Sequence, residues 1–214
     1  MNVETIVVGP IQTNCYLLQQ NKQIILIDPG ASSRKIIRHL ENYPDSKLIG
    51  ILLTHGHFDH IMAVDELVSH YHCPVYACQD DEKMLRNSCY NNMGSLSGQL
   101  DCDITWLEDD RLDIGDFHFT VFYTPGHTNG SVMYLTEGML FSGDTLFRGS
   151  VGRTDLYGGS MGKLMHSLEV IRSLDKKTIV YPGHEDATTV EDELLYNPYL
   201  QESQLYCFFI RSDN

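Results

Sequence analysis

The segment Thr54-His55-Gly56-His57-Phe58-Asp59-His60 places three imidazoles and a carboxylate within six consecutive positions of a chain whose 214 residues include only 10 histidines. Imidazole and carboxylate together suit zinc and similar first-row ions. In an extended loop His55 and His57 can point to one side, while Asp59 and His60, at a helix entrance, turn toward a neighbouring point. Gly56 permits the tight backbone. That arrangement can feed two ions rather than one, the alternative being a solvated polar loop. Two further histidines follow the same dipeptide, in Pro125-Gly126-His127 and Pro182-Gly183-His184. Either alone would read as an ordinary surface histidine, but the repetition after two separate strands argues against coincidence. Asp144, in Ser142-Gly143-Asp144, would by itself be a turn residue.

Taken in order, the Thr-His-x-His-x-Asp-His segment after a buried strand, then Pro-Gly-His-Thr at 125–128, Gly-Asp-Thr-Leu-Phe at 143–147 and Pro-Gly-His-Glu at 182–185 resemble the metallo-β-lactamase superfamily across nearly the whole chain. Gly143 to Phe147, with Gly152-Arg153, is most similar to its glyoxalase II (hydroxyacylglutathione hydrolase) branch, in a compact single-domain form. The resemblance implies an α/β fold, an αββα sandwich, with a dinuclear site at one edge of the sheets. It implies that His55, His57 and His127 hold one ion, that Asp59, His60 and His184 hold the second, and that Asp144 bridges them. Zinc is the foremost expectation for the two divalent ions, with iron or manganese also accepted by such donors. Asp28 resembles a family aspartate behind the metal loop that would orient a ligand; a simple turn role is the alternative. His39, His70, His72, His118 and His166 match no family position.

A bound metal lowers the pKa of water from 15.7 toward about 7, so a bridging hydroxide, aligned by Asp59 as catalytic residue, could attack a carbonyl at neutral pH. A thiolate leaves more readily than an amine because its conjugate thiol has a pKa near about 8.5. The expected reaction is therefore hydrolysis of a small thioester. The resemblance implies S-D-lactoylglutathione or a related acyl-glutathione. Arg153 stands where the family places a basic residue near the thiol's carboxylate, and Arg148 and Tyr157 are further candidates for substrate contact. An Arg153–Asp155 pair holding a structural loop is the competing reading. Full-length glyoxalase II proteins carry a C-terminal helical extension, whereas 30 residues follow His184 here, which weakens glutathione as the specific thiol. Other activities of the same scaffold are an iron-dependent persulfide dioxygenase and a lactonase, and a non-catalytic module stapled by metal is the reading from another class.

The elements that must position these residues alternate. Val3–Val8, Cys15–Gln19 and Ile24–Ile27 read as strands closed by the turn Asp28-Pro29-Gly30. A helix follows Ser32 as N-cap, with Ile36, Ile37 and Leu40 on one face. Ile49–Leu53 reads as a buried strand and Ile61–Tyr71 as one helix, with Val64, Leu67 and Val68 inward. Phe117–Tyr123 alternates as a half-buried strand. Val132–Leu135 and Met139–Phe141 form a hairpin about Glu137-Gly138. Leu164–Leu174 reads as a helix, Thr178–Tyr181 as a strand and Val190–Leu200 as a helix. Cys89–Asp103, polar and rich in Asn, Gly and Ser, reads as a surface loop or a flap over the site.

Length suits a single catalytic domain over residues 1–214. The 15 Lys and Arg against 29 Asp and Glu, a formal charge of -14, argue against a duplex nucleic-acid partner. The expected partner is a small-molecule thioester, with no nucleic acid and no membrane. The start, Met1 to Gly9, lacks a basic region followed by a long apolar stretch, so no signal peptide is expected. The six cysteines (Cys15, Cys73, Cys78, Cys89, Cys102, Cys207) show no metal-type spacing and read as reduced thiols, which together predict a cytoplasmic location.

Overall fold

Continuous apolar runs such as Cys15–Leu18 and Ile24–Ile27 need cover on both faces of a sheet, because successive side chains point to opposite sides. The computed structural model, which describes residues 1–93 and 95–201, provides that cover with two face-to-face sheets and helices outside each. The first half runs β1 (Asn2–Val8), β2 (Thr13–Gln20), β3 (Gln23–Ile27), α1 (Ser33–Leu40), β4 (Lys47–Leu52), α2 (Phe58–Ile61), α3 (Val64–Tyr71), β5 (Val75–Ala77) and α4 (Glu82–Arg86). Two short ladder strands, β6 (Asn92–Met93) and β7 (Leu96–Ser97), precede β8 (Thr105–Trp106). The second half runs β9 (Arg111–Ile114), β10 (Phe117–Tyr123), β11 (Val132–Thr136), β12 (Met139–Gly143), β13 (Leu146–Phe147), β14 (Ser150–Val151), α5 (Met161–Ser167), β15 (Ile179–Pro182), β16 (Thr188–Thr189) and α6 (Val190–Tyr196).

One sheet has the order β1-β2-β3-β4-β5-β8 and the other β16-β15-β12-β11-β10-β9. Tyr16, Leu18, Ile25, Ile27 and Leu52 from the first meet Phe117, Phe119, Val121, Tyr134 and Phe141 from the second in the layer between them. The alternate residues Cys15, Leu17, Ile24 and Leu26 face outward against Ile36 and Leu40 of α1 and Val64 and Leu67 of α3. Met133, Leu140 and Val180 on the outer face of the second sheet pack against Leu164 of α5 and Val190 of α6. This is the expected αββα sandwich. Burial on both faces explains why the central strands read as unbroken apolar runs while β10, with the pattern buried-exposed-buried, alternates.

Four local expectations change, among them the helix expected over Val190–Leu200, which ends at Tyr196 and is followed by a separate 3-10 turn at Pro198–Leu200. The predicted helix Ile61–Tyr71 is two helices, broken at Met62 and Ala63. Ala63 N–H donates to Pro29 O (3.0 Å), and Met62 N–H is shared between Gly30 O (3.1 Å) and its helical acceptor Phe58 O (3.2 Å), so the Asp28-Pro29-Gly30 turn competes for bonds that a continuous helix would use. Leu164–Leu174 is α-helical only to Ser167 and continues as a 3-10 turn through Ser173. Ser32 precedes α1 as expected, but in a left-handed conformation (φ 57°) with no side-chain capping bond; its carbonyl accepts from Lys35 and Ile36 instead. The hairpin turn at Glu137 (φ 46°) and Gly138 (φ 75°) has two positive φ values, the two-residue geometry whose twist suits adjoining strands.

Five of the six cysteines are described, and all five are free thiols; Cys207 lies outside the described residues. No helix among the described residues is long and apolar enough to cross a membrane.

Candidate metal centre

The β4–α2 loop carries His55 and His57, and the short helix α2 carries Asp59 and His60, to one rim of the sandwich. There it meets His127 from the β10–β11 loop, Asp144 at the end of β12 and His184 after β15. His55, His57 and His127 bring ligand atoms within 4.8 Å of one another, and so do Asp59, His60 and His184. His57 Nδ1 lies 2.8 Å from His127 Nε2. Asp144 stands between the two groups, with Oδ1 3.4 Å from His60 Nε2 and Oδ2 3.4 Å from His127 Nε2. Asp59 Oδ2 is 3.2 Å from His184 Nε2.

Hydrogen bonds behind the cluster set which ring nitrogen is bare. Asp28 accepts from the Thr54 N–H (2.8 Å) and from the Thr54 hydroxyl (2.6 Å). The Thr54 oxygen, having donated its proton, accepts from His55 Nδ1 (3.0 Å). Asp28 also accepts from His60 Nδ1 (2.9 Å), and Arg153 O accepts from His127 Nδ1 (2.7 Å). All three imidazoles therefore turn Nε2 inward, the nitrogen a metal would take. His55 Nε2, His57 Nε2, His60 Nε2 and Asp144 Oδ1 are buried and have no hydrogen-bond partner. Such orphaned groups are costly unless something else satisfies them. A pair of cations fits this donor set. Asp28, His55 and His60 also lie close enough to suggest a third cluster, but the Asp28 oxygens are already committed to Thr54 and His60, so Asp28 orients ligands and is not one.

The electrostatics point the same way. Burial, with the neighbouring His60, holds His55 well below the usual imidazole range, and burial with His127 takes His57 to about 3. Both are neutral imidazoles at pH 7. Burial opposes ionisation of Asp59, but His60 and His184 outweigh it and lower the carboxyl to about 2. Asp144 is held well below the carboxylate range against burial by His60 and His127. For His60 burial is opposed by Asp144, Asp59 and Asp28, and the net direction is upward. Without metal, His60 thus keeps its proton at neutral pH.

The loops are clamped from both sheets. Asn14 of β2 donates through Nδ2 to Pro182 O and Glu185 O, and Tyr16 OH donates to Pro182 O, which ties the His184 loop to the opposite sheet. Thr13 donates its hydroxyl proton to Asp59 Oδ2 (3.1 Å). A side chain at Gly30 would meet Asp59 O at 1.6 Å, so the Asp-Pro-Gly turn packs directly under the metal loop.

The metallo-beta-lactamase superfamily model matches residues 8–184. The chain belongs to that superfamily. Hydroxyacylglutathione hydrolase GloC of Haemophilus influenzae is 32% identical over 209 residues, 94% of this chain and 98% of that protein. A solved structure of the B3 metallo-beta-lactamase BLEG-1 is 38% identical, with a TM-score of 0.89 over 94% of this chain and all of that one. A di-iron-bound form of TTHA1623 is 35% identical, with a TM-score of 0.79 over 92% of this chain and all of that one.

In this member of the superfamily His57, Asp59, His127, Asp144 and His184 of the cluster line a cavity of about 640 Å³ whose walls include Tyr90, Met93, Phe147, Val151, Arg153 and Tyr157. Arg153 reaches the cavity but is paired side-on with Asp155 (2.7 and 2.8 Å), as the competing reading of that stretch had it. Arg148 does not line the cavity; it is exposed and 3.7 Å from Asp186. The Cys89–Asp103 segment supplies Cys89, Tyr90, Asn92 and Met93 to the wall. It is anchored there by the buried Asn91, which accepts from Phe58 N–H and donates to Gly56 O, both at 2.6 Å. Sequence reasoning had no signal for Asn91, Thr13 or Asn14, each polar and unremarkable until the chain folds.

Zinc loading of metal-free protein at pH 7 is expected to release protons, because His60 must give up the Nε2 proton its three carboxylate neighbours favour. Calorimetric titration in two buffers of different ionisation enthalpy measures that release. An apparent binding enthalpy independent of buffer would contradict it.

Proposed function

We propose that this chain is a dinuclear metal-dependent hydrolase of small thioesters, with S-D-lactoylglutathione or a related acyl-glutathione as substrate. The observation that carries the reading is the convergence of five histidines and two aspartates, with unpartnered buried nitrogens, at the base of a cavity that five of the seven line. In this reading His55, His57 and His127 hold one divalent ion, Asp59, His60 and His184 the other, and Asp144 serves both. When bound, the ions supply hydroxide at neutral pH and polarise the scissile carbonyl.

The protein's own groups do the rest. Asp59, anionic because His60 and His184 lower its carboxyl to about 2, aligns the oxygen nucleophile. Phe147 and Val151 shield the acyl group from bulk water on the cavity wall. One C–O bond forms and the C–S bond breaks. The thiolate departs without a proton donor, which matters because Asp59 and Asp144 are both held ionised and cannot act as acids at pH 7. An amine leaving group would need one. Arg153 and Tyr157 are the proposed contacts for the thiol carrier. The match to GloC across 98% of its length supports glutathione as that carrier without requiring a larger protein.

A second reading, opening of a β-lactam amide, is favoured by the 38% identity to BLEG-1. Thiol release from S-D-lactoylglutathione, measured beside hydrolysis of a chromogenic cephalosporin and with metal content determined, separates the two. Thioester turnover with about two metals bound is the expected result. Cephalosporin turnover alone would replace the thioester reading, and a single bound iron with oxygen uptake on a persulfide would replace hydrolysis altogether.

A further inference from the structure

Asp81, in the short 3-10 turn Gln79–Asp81 after β5, touches none of the seven proposed ligands through a metal-facing atom, yet its carboxylate joins the two loops that carry three of them. Oδ2 accepts from the Gly56 N–H (2.8 Å), between His55 and His57, and from the Thr128 hydroxyl (2.7 Å), next to His127. Oδ1 accepts from the Gly130 N–H (2.8 Å). The residue is 1% exposed. The loops are pressed onto it: a Cβ at Gly130 would lie 2.7 Å from Asp81 Cγ, and one at Gly56 would lie 3.2 Å from its Cβ.

The other half of the cluster is held by different groups. Asp28 fixes His60, Thr13 meets Asp59, and Asn14 with Tyr16 grips the His184 loop. Gly56 and Thr128 lie between or beside His55, His57 and His127, and nothing bonded to the Asp81 carboxylate belongs to the second group.

We infer that Asp81 is a positioning residue for one ion alone: it sets the separation between the His55/His57 loop and the His127 loop, and so the affinity of the three-histidine site. The inference rests on the two-ion reading of the centre. Asp81→Asn is nearly isosteric, but its amide must face at least one of the two backbone N–H donors. One loop then loses its N–H bond to residue 81. Loss of an outer partner of this kind lowers metal affinity on the order of 10–100-fold.

The test uses cobalt(II) in the full chain. His127→Ala and His184→Ala protein each supply the absorption spectrum of the ion that remains. Asp81→Asn protein with one equivalent of cobalt is expected to show the His127→Ala spectrum, and competition with a chelator should give one zinc constant weakened 10–100-fold and the other unchanged. Thr128→Val removes the hydroxyl bond to Asp81, and with it the contact to the Ser131 hydroxyl (2.8 Å), but leaves both N–H tethers, so it should weaken the same ion by a smaller factor; it also carries the test if Asp81→Asn does not fold. Equal weakening of both ions, or of neither, in whichever variant folds overturns the inference. Failure of the unsubstituted protein to bind two ions would instead remove the two-ion reading beneath it.

Discussion

Replacing Asp59 with alanine is expected to lower kcat/KM for thioester hydrolysis by roughly 10³-fold, about 4 kcal/mol of transition-state stabilisation. The carboxylate accepts from Thr13 and faces His184 and His60 at 3.2 and 3.6 Å. Its removal deprives the centre of a negative charge and the nucleophile of its aligning group. Because the interaction serves the reacting atoms, the loss should fall mainly on kcat, with KM changed little. His57→Ala should be of similar size, through loss of a donor whose Nδ1 meets His127 Nε2. Steady-state kinetics with metal content measured on the same samples decide the matter. Wild-type rates in either variant at full metal content would sink the proposed mechanism.

The second large effect is expected from one methyl group. In Gly30→Ala the new Cβ would overlap Asp59 O at 1.6 Å and its carbonyl carbon at 2.6 Å. Both are backbone atoms, so no side-chain rotation relieves the clash. Either the Asp28-Pro29-Gly30 turn or the metal loop must move. The turn is held by Met62 and Ala63 N–H groups, and Asp28 beside it orients His60 and Thr54. Overpacking of this kind costs about 1–3 kcal/mol, and a displacement of about 1 Å at reacting groups costs on the order of 10²-fold in rate. Gly30→Ala protein should therefore unfold at lower denaturant concentration with an unchanged m-value and lose at least about 10²-fold in kcat/KM. A variant with wild-type midpoint and rate would show that the turn does not press on the loop as described.

The comparison with the family leaves the composition of the centre and the identity of the substrate as separate questions. The metal-facing residues follow from a short contiguous segment and two repeated Pro-Gly-His triplets. The cavity wall includes Tyr90 and Met93 from one segment and Phe147, Arg153 and Tyr157 from another. A hydroxyacylglutathione hydrolase and a B3 metallo-beta-lactamase both lie within 32–38% identity of this chain.

How much of this was legible in the sequence depends on how local each cause is. His55, His57, Asp59 and His60 sit within six consecutive positions, so their density alone announced a metal centre. The apolar runs of β2 and β3 announced strands covered on both faces, and Cys15 and Leu17 do face one helical layer while Tyr16 and Leu18 face the other sheet. The break in the helix after Ile61 was not legible, because the competing acceptors are the carbonyls of Pro29 and Gly30, some thirty positions away. Nor was Asp81, which within Gln79-Asp80-Asp81-Glu82 looks like part of a solvated acidic run; only folding brings the Gly56 and Gly130 N–H groups to it. Residue type and spacing determined which atoms could bind a metal. The tertiary structure decided which nitrogen of each imidazole is bare, through acceptors at Asp28, Thr54 and Arg153, because a tautomer is set by whichever group lies on the far side of the ring, and chain order does not encode that neighbour.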